Sequence, residues 1–400
     1  MSEVRGGTRG ALARLVLVFA GLLVGLGLGE IALRIALPDF RRHYVHEPNL
    51  RWRLDPAPGV MPGVSGPSRF LVNADGVRGD ELGPGYDYRI LAVGGSTTEC
   101  LYLDQEEAWP YRIQELLDQA FGPAKRSWVG NIGRSGRRTR EHLVQLEYVL
   151  AELGNIDAVI LLLGANDIMR RLAEDDRYDP QAWARPEARE ALLAAAFQIY
   201  PSAHARRFGL AESAIGSLLT RWWLRREAQR DAAEIQMQGV RGENYARWRE
   251  FRASTPELRA RLPDLAPALQ EYASNLEAIA RVARGNGARV ILMAQPALYQ
   301  PDLPQRYEQL LWMGGVGDFN REAGHAYYTA AAMAEAFERY NAVLLDFCAR
   351  ADLECIDLSR IVPRDLSSFY DDVHFNESGA DRVARAVFEH LRRRPPFTDR

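Results

Sequence analysis

Apolar positions fall into two rhythms along this chain. Five short stretches are almost continuously apolar: residues 88–93, 127–132, 157–163, 288–294 and 353–358. Runs of that kind predict strands buried on both faces, as in a parallel sheet. Between them the apolar spacing changes to three and four. Residues 109–121 align Ile113, Leu116, Leu117 and Ala120. Residues 139–153 align Leu143, Leu146, Val149 and Leu150, and a last helix aligns Val383, Val387, Phe388 and Leu391. Strands alternating with amphipathic helices predict an α/β fold around a central parallel sheet of about five strands.

Two regions break the rhythm. Residues 170–265 are rich in Ala, Arg, Glu and Trp and helical in pattern, which predicts a helical insertion between the third and fourth strands. Within it, Trp222 and Trp223 are flanked by arginines. That arrangement suits a membrane interface, although burial inside a helical subdomain is the expectation. Residues 38–87 are rich in Pro, Gly and Arg and are expected to pack irregularly on the domain. The predicted organisation is an N-terminal segment 1–37, a juxtamembrane stretch 38–87, and one domain in two parts, 88–169 and 266–400, split by 170–265.

Residues 15–29 are an uninterrupted run of apolar residues and glycine, preceded by Arg5, Arg9 and Arg14. Fifteen residues fall short of the roughly 20 a spanning helix needs. Extension to Leu37 reaches that length but takes in Glu30 and Arg34, which at i and i+4 can pair on one helix face. An uncleaved signal anchor is expected rather than a cleaved signal peptide, because no Ala-x-Ala-like site follows. This predicts membrane attachment through the N-terminal helix, with the remaining chain extracytoplasmic or, after cleavage, secreted or periplasmic.

Charge and cysteine content narrow the classes further. The formal net charge of -3 argues against a nucleic-acid-binding polyelectrolyte. Cys100, Cys348 and Cys355 form no metal-site spacing, and neither a metal nor an organic cofactor is expected. Cys348 and Cys355 can pair in an oxidising compartment, but buried free thiols are the expectation.

Four short segments carry complementary chemistry. Gly94-Gly95-Ser96-Thr97-Thr98 places a serine after a strand and two glycines, where a nucleophile belongs in a parallel sheet. Asn131-Ile132-Gly133-Arg134-Ser135-Gly136 ends a second strand, and its glycines let backbone amides approach a substrate. Gly164-Ala165-Asn166-Asp167 offers an uncharged, directional side-chain amide. In Asp371-Asp372-Val373-His374, three-residue spacing lets one carboxylate reach the imidazole Nδ1, leaving Nε2 for a serine. Each segment has an ordinary structural reading: Ser96 as a helix cap, Asn166 as a turn residue, a histidine as a core residue. Asp372 is the obvious decoy for Asp371.

Together the segments resemble the SGNH hydrolase superfamily, also called GDSL esterases, over residues 88–168 and 285–393. Within it, Gly-Gly-Ser suits membrane-anchored bacterial members. The resemblance implies a flavodoxin-like three-layer α/β/α sandwich. It assigns Ser96 as nucleophile, His374 as base and Asp371 as its orienter. The implied oxyanion hole is the amides of Ser96 and Gly136 with the Asn166 side chain. Gly95 stands where the Gly-Asp-Ser version has aspartate. No Gly-x-Ser-x-Gly elbow, Walker A sequence or His-Glu-x-x-His occurs in a fitting context. The expected activity is that of a serine esterase acting on a small-molecule or glycan ester, such as an O-acetylated glycan, or on a lipid. The alternatives are an O-acyltransferase using the same triad and a non-catalytic glycan-binding scaffold.

Overall fold

A computed structural model describes residues 4–36, 43–122, 124–183, 185–200, 215–216 and 241–397. The chain forms two compact units. The first holds helix α1 (Val4–Ala36). Its stretch Ala13–Leu33 has a mean hydropathy of 2.3 over 21 residues, long and apolar enough to cross a membrane or to act as a signal sequence. Its leucines and valines from Leu15 to Leu28 are exposed. Glu30 accepts a hydrogen bond from the amide of Ile215 (3.1 Å) in the same unit. The side chain of Arg34 and the pair Trp222 and Trp223 lie outside the described residues.

The second unit begins at Tyr44. An antiparallel pair, β1 (Arg51–Leu54) and β2 (Ser68–Leu71), opens it. Five parallel strands follow: β3 (Tyr88–Gly94), β4 (Ser127–Asn131), β5 (Ala158–Leu162), β7 (Arg289–Met293) and β9 (Glu354–Ile356). The two-residue strands β6 (Leu258–Arg259) and β8 (Tyr327–Tyr328) pair outside that sheet. The sheet order is β4-β3-β5-β7-β9, the doubly wound flavodoxin-like order. Ile90, Leu91, Ala92, Val93, Ile160, Leu161, Ile291 and Leu292 are fully buried, which is why these strands read as continuous apolar runs. Each such Val, Leu or Ile side chain contributes about 1.5–3 kcal/mol.

The helices of this unit are α2 (Ser96–Glu99), α3 (Trp109–Phe121), α4 (Thr139–Leu153), α5 (Ala165–Glu174), α6 (Ala188–Ala196), α7 (Glu243–Ala253), α8 (Ala266–Gly285), α9 (Gln305–Glu308), α10 (Ala330–Ala351), α11 (Leu358–Ile361) and α12 (Glu377–Leu391). Helices α3 and α12 pack on one another, and α8 packs on α4 and α10. The result is the three-layer α/β/α sandwich.

Two details differ from the sequence reading. The last strand is shorter than residues 353–358, because Leu358 already begins α11. Cys348 and Cys355 are joined as a disulfide rather than left as free thiols. Cys348 lies in the last turns of α10, and the chain reverses through left-handed Asp352 into β9, bringing the two Cα atoms to 6.2 Å.

Residues 44–87 are largely turns and bends around β1 and β2, and specific contacts hold them on the domain. Arg78 exchanges backbone hydrogen bonds with Asn131 at the end of β4. Its buried guanidinium donates to the carbonyls of Glu99 (2.5 Å), Cys100 (2.8 Å) and Leu103 (2.9 Å). A cation there satisfies the carbonyls that the short helix α2 leaves open. This segment therefore holds the helix on which Ser96 sits.

Candidate active site

Ser96 follows β3 and Asn166 follows β5. These neighbouring strands flank the point where strand order reverses, the crevice in which doubly wound sheets bind ligands. The loop after β4 brings Gly136 to the same edge, and the turn before α12 brings Asp371 and His374.

A continuous hydrogen-bonded chain results. His374 Nε2 lies 2.7 Å from Ser96 Oγ, and its Nδ1 lies 2.7 Å from Asp371 Oδ2. The other carboxylate oxygen of Asp371 accepts from the amides of Val373 (3.0 Å) and His374 (2.8 Å). The carboxylate is thus a cap on its own turn, and this fixes the three-residue spacing. Asp371 is fully buried and His374 is 5% exposed, while Ser96 stays partly open. Burial by itself would lower the His374 pKa. The charge and hydrogen bond of Asp371 outweigh it and leave the imidazole above its usual 6.5. Burial would raise Asp371. The charge of His374 and the N–H groups of His374 and Trp312 prevail and hold it below the ordinary carboxylate value.

The amides of Ser96 and Gly136 have no acceptor among the described residues. Asn166 gives one Nδ2 hydrogen to the carbonyl of Arg137 (2.8 Å), leaving the second for a ligand. Gly136 adopts φ +74°, in the left-handed region that glycine takes without strain. A small recess, lined by Ser96, Thr97, Arg137, His142, Asn166 and Gln295 among others, opens beside Ser96 and Asn166. The described residues contain no His, Cys, Asp or Glu cluster able to hold a metal.

The sequence reading missed the supporting residues. Trp312 donates its indole N–H to Asp371 Oδ2 (3.0 Å) and lies nearly parallel to the imidazole (4° between planes). Tyr370 stacks on the imidazole at 5.5 Å, and Tyr245 meets it edge-on at 6.1 Å. Tyr245 belongs to α7, so the second part of the insertion walls the site. Arg249 and Arg252 of the same helix fasten it, donating to the carbonyls of Val60, Tyr370, Met313 and Tyr328. Asp372 has a different task. It accepts from Tyr299 and from the amides of Trp312 (3.0 Å) and Met313 (3.2 Å), so it anchors the strand of chain that delivers Trp312.

The loop bearing Gly136 is held from beneath. Buried Glu99 accepts from the amide (3.0 Å) and the hydroxyl of Ser135. His46 bonds the carbonyl of Gly133 through Nε2 (2.9 Å). Burial and the nearby Arg134 charge push the His46 pKa down to about 3, so the ring is neutral and its N–H is the donor. Asp167 accepts from Thr139 Oγ (2.6 Å) at the start of α4. Of these three, Asp167 lies within a recognised segment and Glu99 lies three residues after Ser96, whereas His46 stands apart from all four segments.

The chain belongs to the GDSL-like lipase/acylhydrolase family, whose model matches residues 92–382. It is accordingly an ester-hydrolysing enzyme. Solved structures resembling it include an acetylxylan esterase from Geobacillus stearothermophilus, at 14% identity and a TM-score of 0.39, covering 76% of this chain and 94% of that one. Another is an alpha/beta hydrolase from the metagenome of Lake Arreo, Spain, at 14% identity and a TM-score of 0.40, covering 76% and 94% respectively. No curated protein sequence matches.

Proposed function

We propose that Ser96 is the nucleophile of a serine esterase, with His374 as general base and Asp371 as the group that orients it. Ser96 Oγ attacks the ester carbonyl carbon as its proton passes to His374 Nε2. The resulting oxyanion is held by the amides of Ser96 and Gly136 and by Asn166 Nδ2. Collapse expels the alcohol, which takes the proton from His374. Water, deprotonated in turn by His374, then cleaves the acyl-enzyme and releases the acid. The observation that carries this reading is the unbroken Asp371–His374–Ser96 chain. The recess is small and largely polar-lined, which favours a short acyl group such as acetyl over a long fatty chain. A small molecule or a glycan is the fitting alcohol portion.

We also place the domain outside the cytoplasm, attached through α1. The Cys348–Cys355 disulfide supports this, because such bonds persist in oxidising compartments.

A serine-reactive aryl phosphonate should label the native enzyme once, on the peptide containing Ser96, and should not label Ser96→Ala. Absence of both labelling and turnover of short-chain 4-nitrophenyl esters would reject Ser96 as nucleophile. The same assay run against pH reads the base. Only neutral imidazole can accept the serine proton, and the His374 pKa is raised. The acid limb of kcat/KM should therefore have its midpoint above about 6.5, with activity rising with pH through it. A profile flat from roughly pH 5 to 9 would remove histidine from the role.

A further inference from the structure

Two arginines flank the apex of the Gly136 loop without an anion. Arg138 pairs with Glu141 (2.6 Å) and Arg140 with Glu271, but the guanidinium groups of Arg134 and Arg137 form no ion pair or side-chain hydrogen bond among the described residues. Arg134 Nη1 and Arg137 Nε are buried with nothing to donate to. The carboxylates they feel are shared: Glu99, which acts on both, also holds Ser135 through one oxygen, and Glu141, which acts on Arg137, is paired with Arg138. Burial, and for Arg134 the adjacent charge of Arg137, pushes Arg134 down to about 9 and lowers Arg137 as well. Desolvated like charges side by side are costly unless something else supplies the counter-charge. Buried N–H groups left unmade call for an explanation in the same way. Arg137 lines the recess at Ser96. A planar or tetrahedral oxyanion entering with the substrate would meet both needs, since guanidinium groups bind such groups through two hydrogen bonds.

We propose that Arg134 and Arg137 form an anion subsite, and that the preferred ester carries a carboxylate or phosphate group close to the carbonyl held at Ser96. This rests on the reading of Ser96 as nucleophile. The charge can lie on either side of the ester, and matched pairs separate the cases. Mono-4-nitrophenyl succinate against 4-nitrophenyl butyrate tests an acyl-side carboxylate. O-acetylated oligogalacturonate against O-acetylated xylo-oligosaccharide tests an alcohol-side carboxylate, and acetylglycerol phosphate against acetylglycerol tests a phosphate.

For at least one pair, kcat/KM of the anionic member should exceed its neutral partner by roughly tenfold at low salt, the ratio shrinking as salt is added. Arg137→Gln should bring that ratio within about threefold, and Arg137→Lys should keep part of it. If no pair exceeds about threefold, or the preference survives in the Arg134→Gln/Arg137→Gln protein, the subsite does not exist. Calorimetric titration of mono-4-nitrophenyl succinate, acetylated oligogalacturonate or acetylglycerol phosphate, whichever belongs to the preferred pair, into Ser96→Ala reads the subsite without turnover. Tighter binding than the neutral partner, lost in Arg137→Gln, supports it, and equal binding rejects it. Failure of the nucleophile is seen separately, as absence of phosphonate labelling.

Discussion

Replacing Asp371 by asparagine should lower kcat by roughly four orders of magnitude while leaving the protein folded. The reason lies in which atoms need an acceptor. Asp371 Oδ1 takes two backbone N–H groups, from Val373 and His374. Oδ2 takes two more, from His374 Nδ1 and the indole of Trp312. An asparagine has one oxygen, and the two rigid backbone amides claim it. Its NH2 group then faces the imidazole and the indole N–H. The imidazole can only respond by moving its proton to Nε2, which turns a hydrogen toward Ser96 and removes the base. The indole cannot respond at all, so a donor meets a donor in a dry site, at about 1–3 kcal/mol of stability.

The two losses are separable. Adding Trp312→Phe to Asp371→Asn should recover much of the stability and none of the rate. Melting temperature and single-turnover acylation measured on the single and double variants decide it. A double variant that regains rate would mean that Trp312, not the imidazole tautomer, limits the asparagine enzyme. An asparagine variant with near-native kcat would remove Asp371 from the mechanism.

What could be read from the sequence was what is local. Asp371 and His374 share one turn, and their relation follows from a spacing of three. The sheet was equally legible, because strands buried on both faces must be apolar throughout, and no other requirement competes at positions such as 90–93 or 159–162. Trp312 was not legible. It reaches Asp371 across 59 residues from a stretch with no periodicity, and nothing in its neighbours marks it. The contacts of residues 44–87 are hidden for a related reason. Their order comes from single long-range contacts, His46 to Gly133 and Arg78 to the end of α2, not from a repeating apolar face. Helix α7 was seen as part of an insertion. That its Tyr245 faces the imidazole depends on Arg249 and Arg252 finding carbonyls in distant loops.

Gly95 shows how the structure changes the meaning of a departure seen in sequence. Beside a motif that elsewhere has aspartate, it looked like a missing residue. A Cβ built on Gly95 would stand 2.3 Å from Asn166 Nδ2. In this chain the amide of Asn166 occupies the space that a side chain at 95 would need, held there by the carbonyl of Arg137. Gly95→Ala should therefore displace the Asn166 amide and lower kcat/KM by roughly 10²–10³, as loss of one oxyanion donor does. The backbone at Gly95, φ -80° and ψ -150°, is open to alanine, so the effect is one of contact and not of strain.

A double-mutant cycle separates this mechanism from general damage to the turn. Asn166→Ala alone should cost a similar factor. With Nδ2 gone, Gly95→Ala has nothing to strike, and the double variant should be little slower than Asn166→Ala. Losses that multiply across the two sites would mean that Gly95→Ala acts elsewhere, through the neighbouring amide of Ser96 or the start of α2. Phosphonate labelling rates give a second readout, because the phosphonyl oxygen would engage the donors proposed for the ester oxyanion. They should fall in both single variants and fall no further in the double.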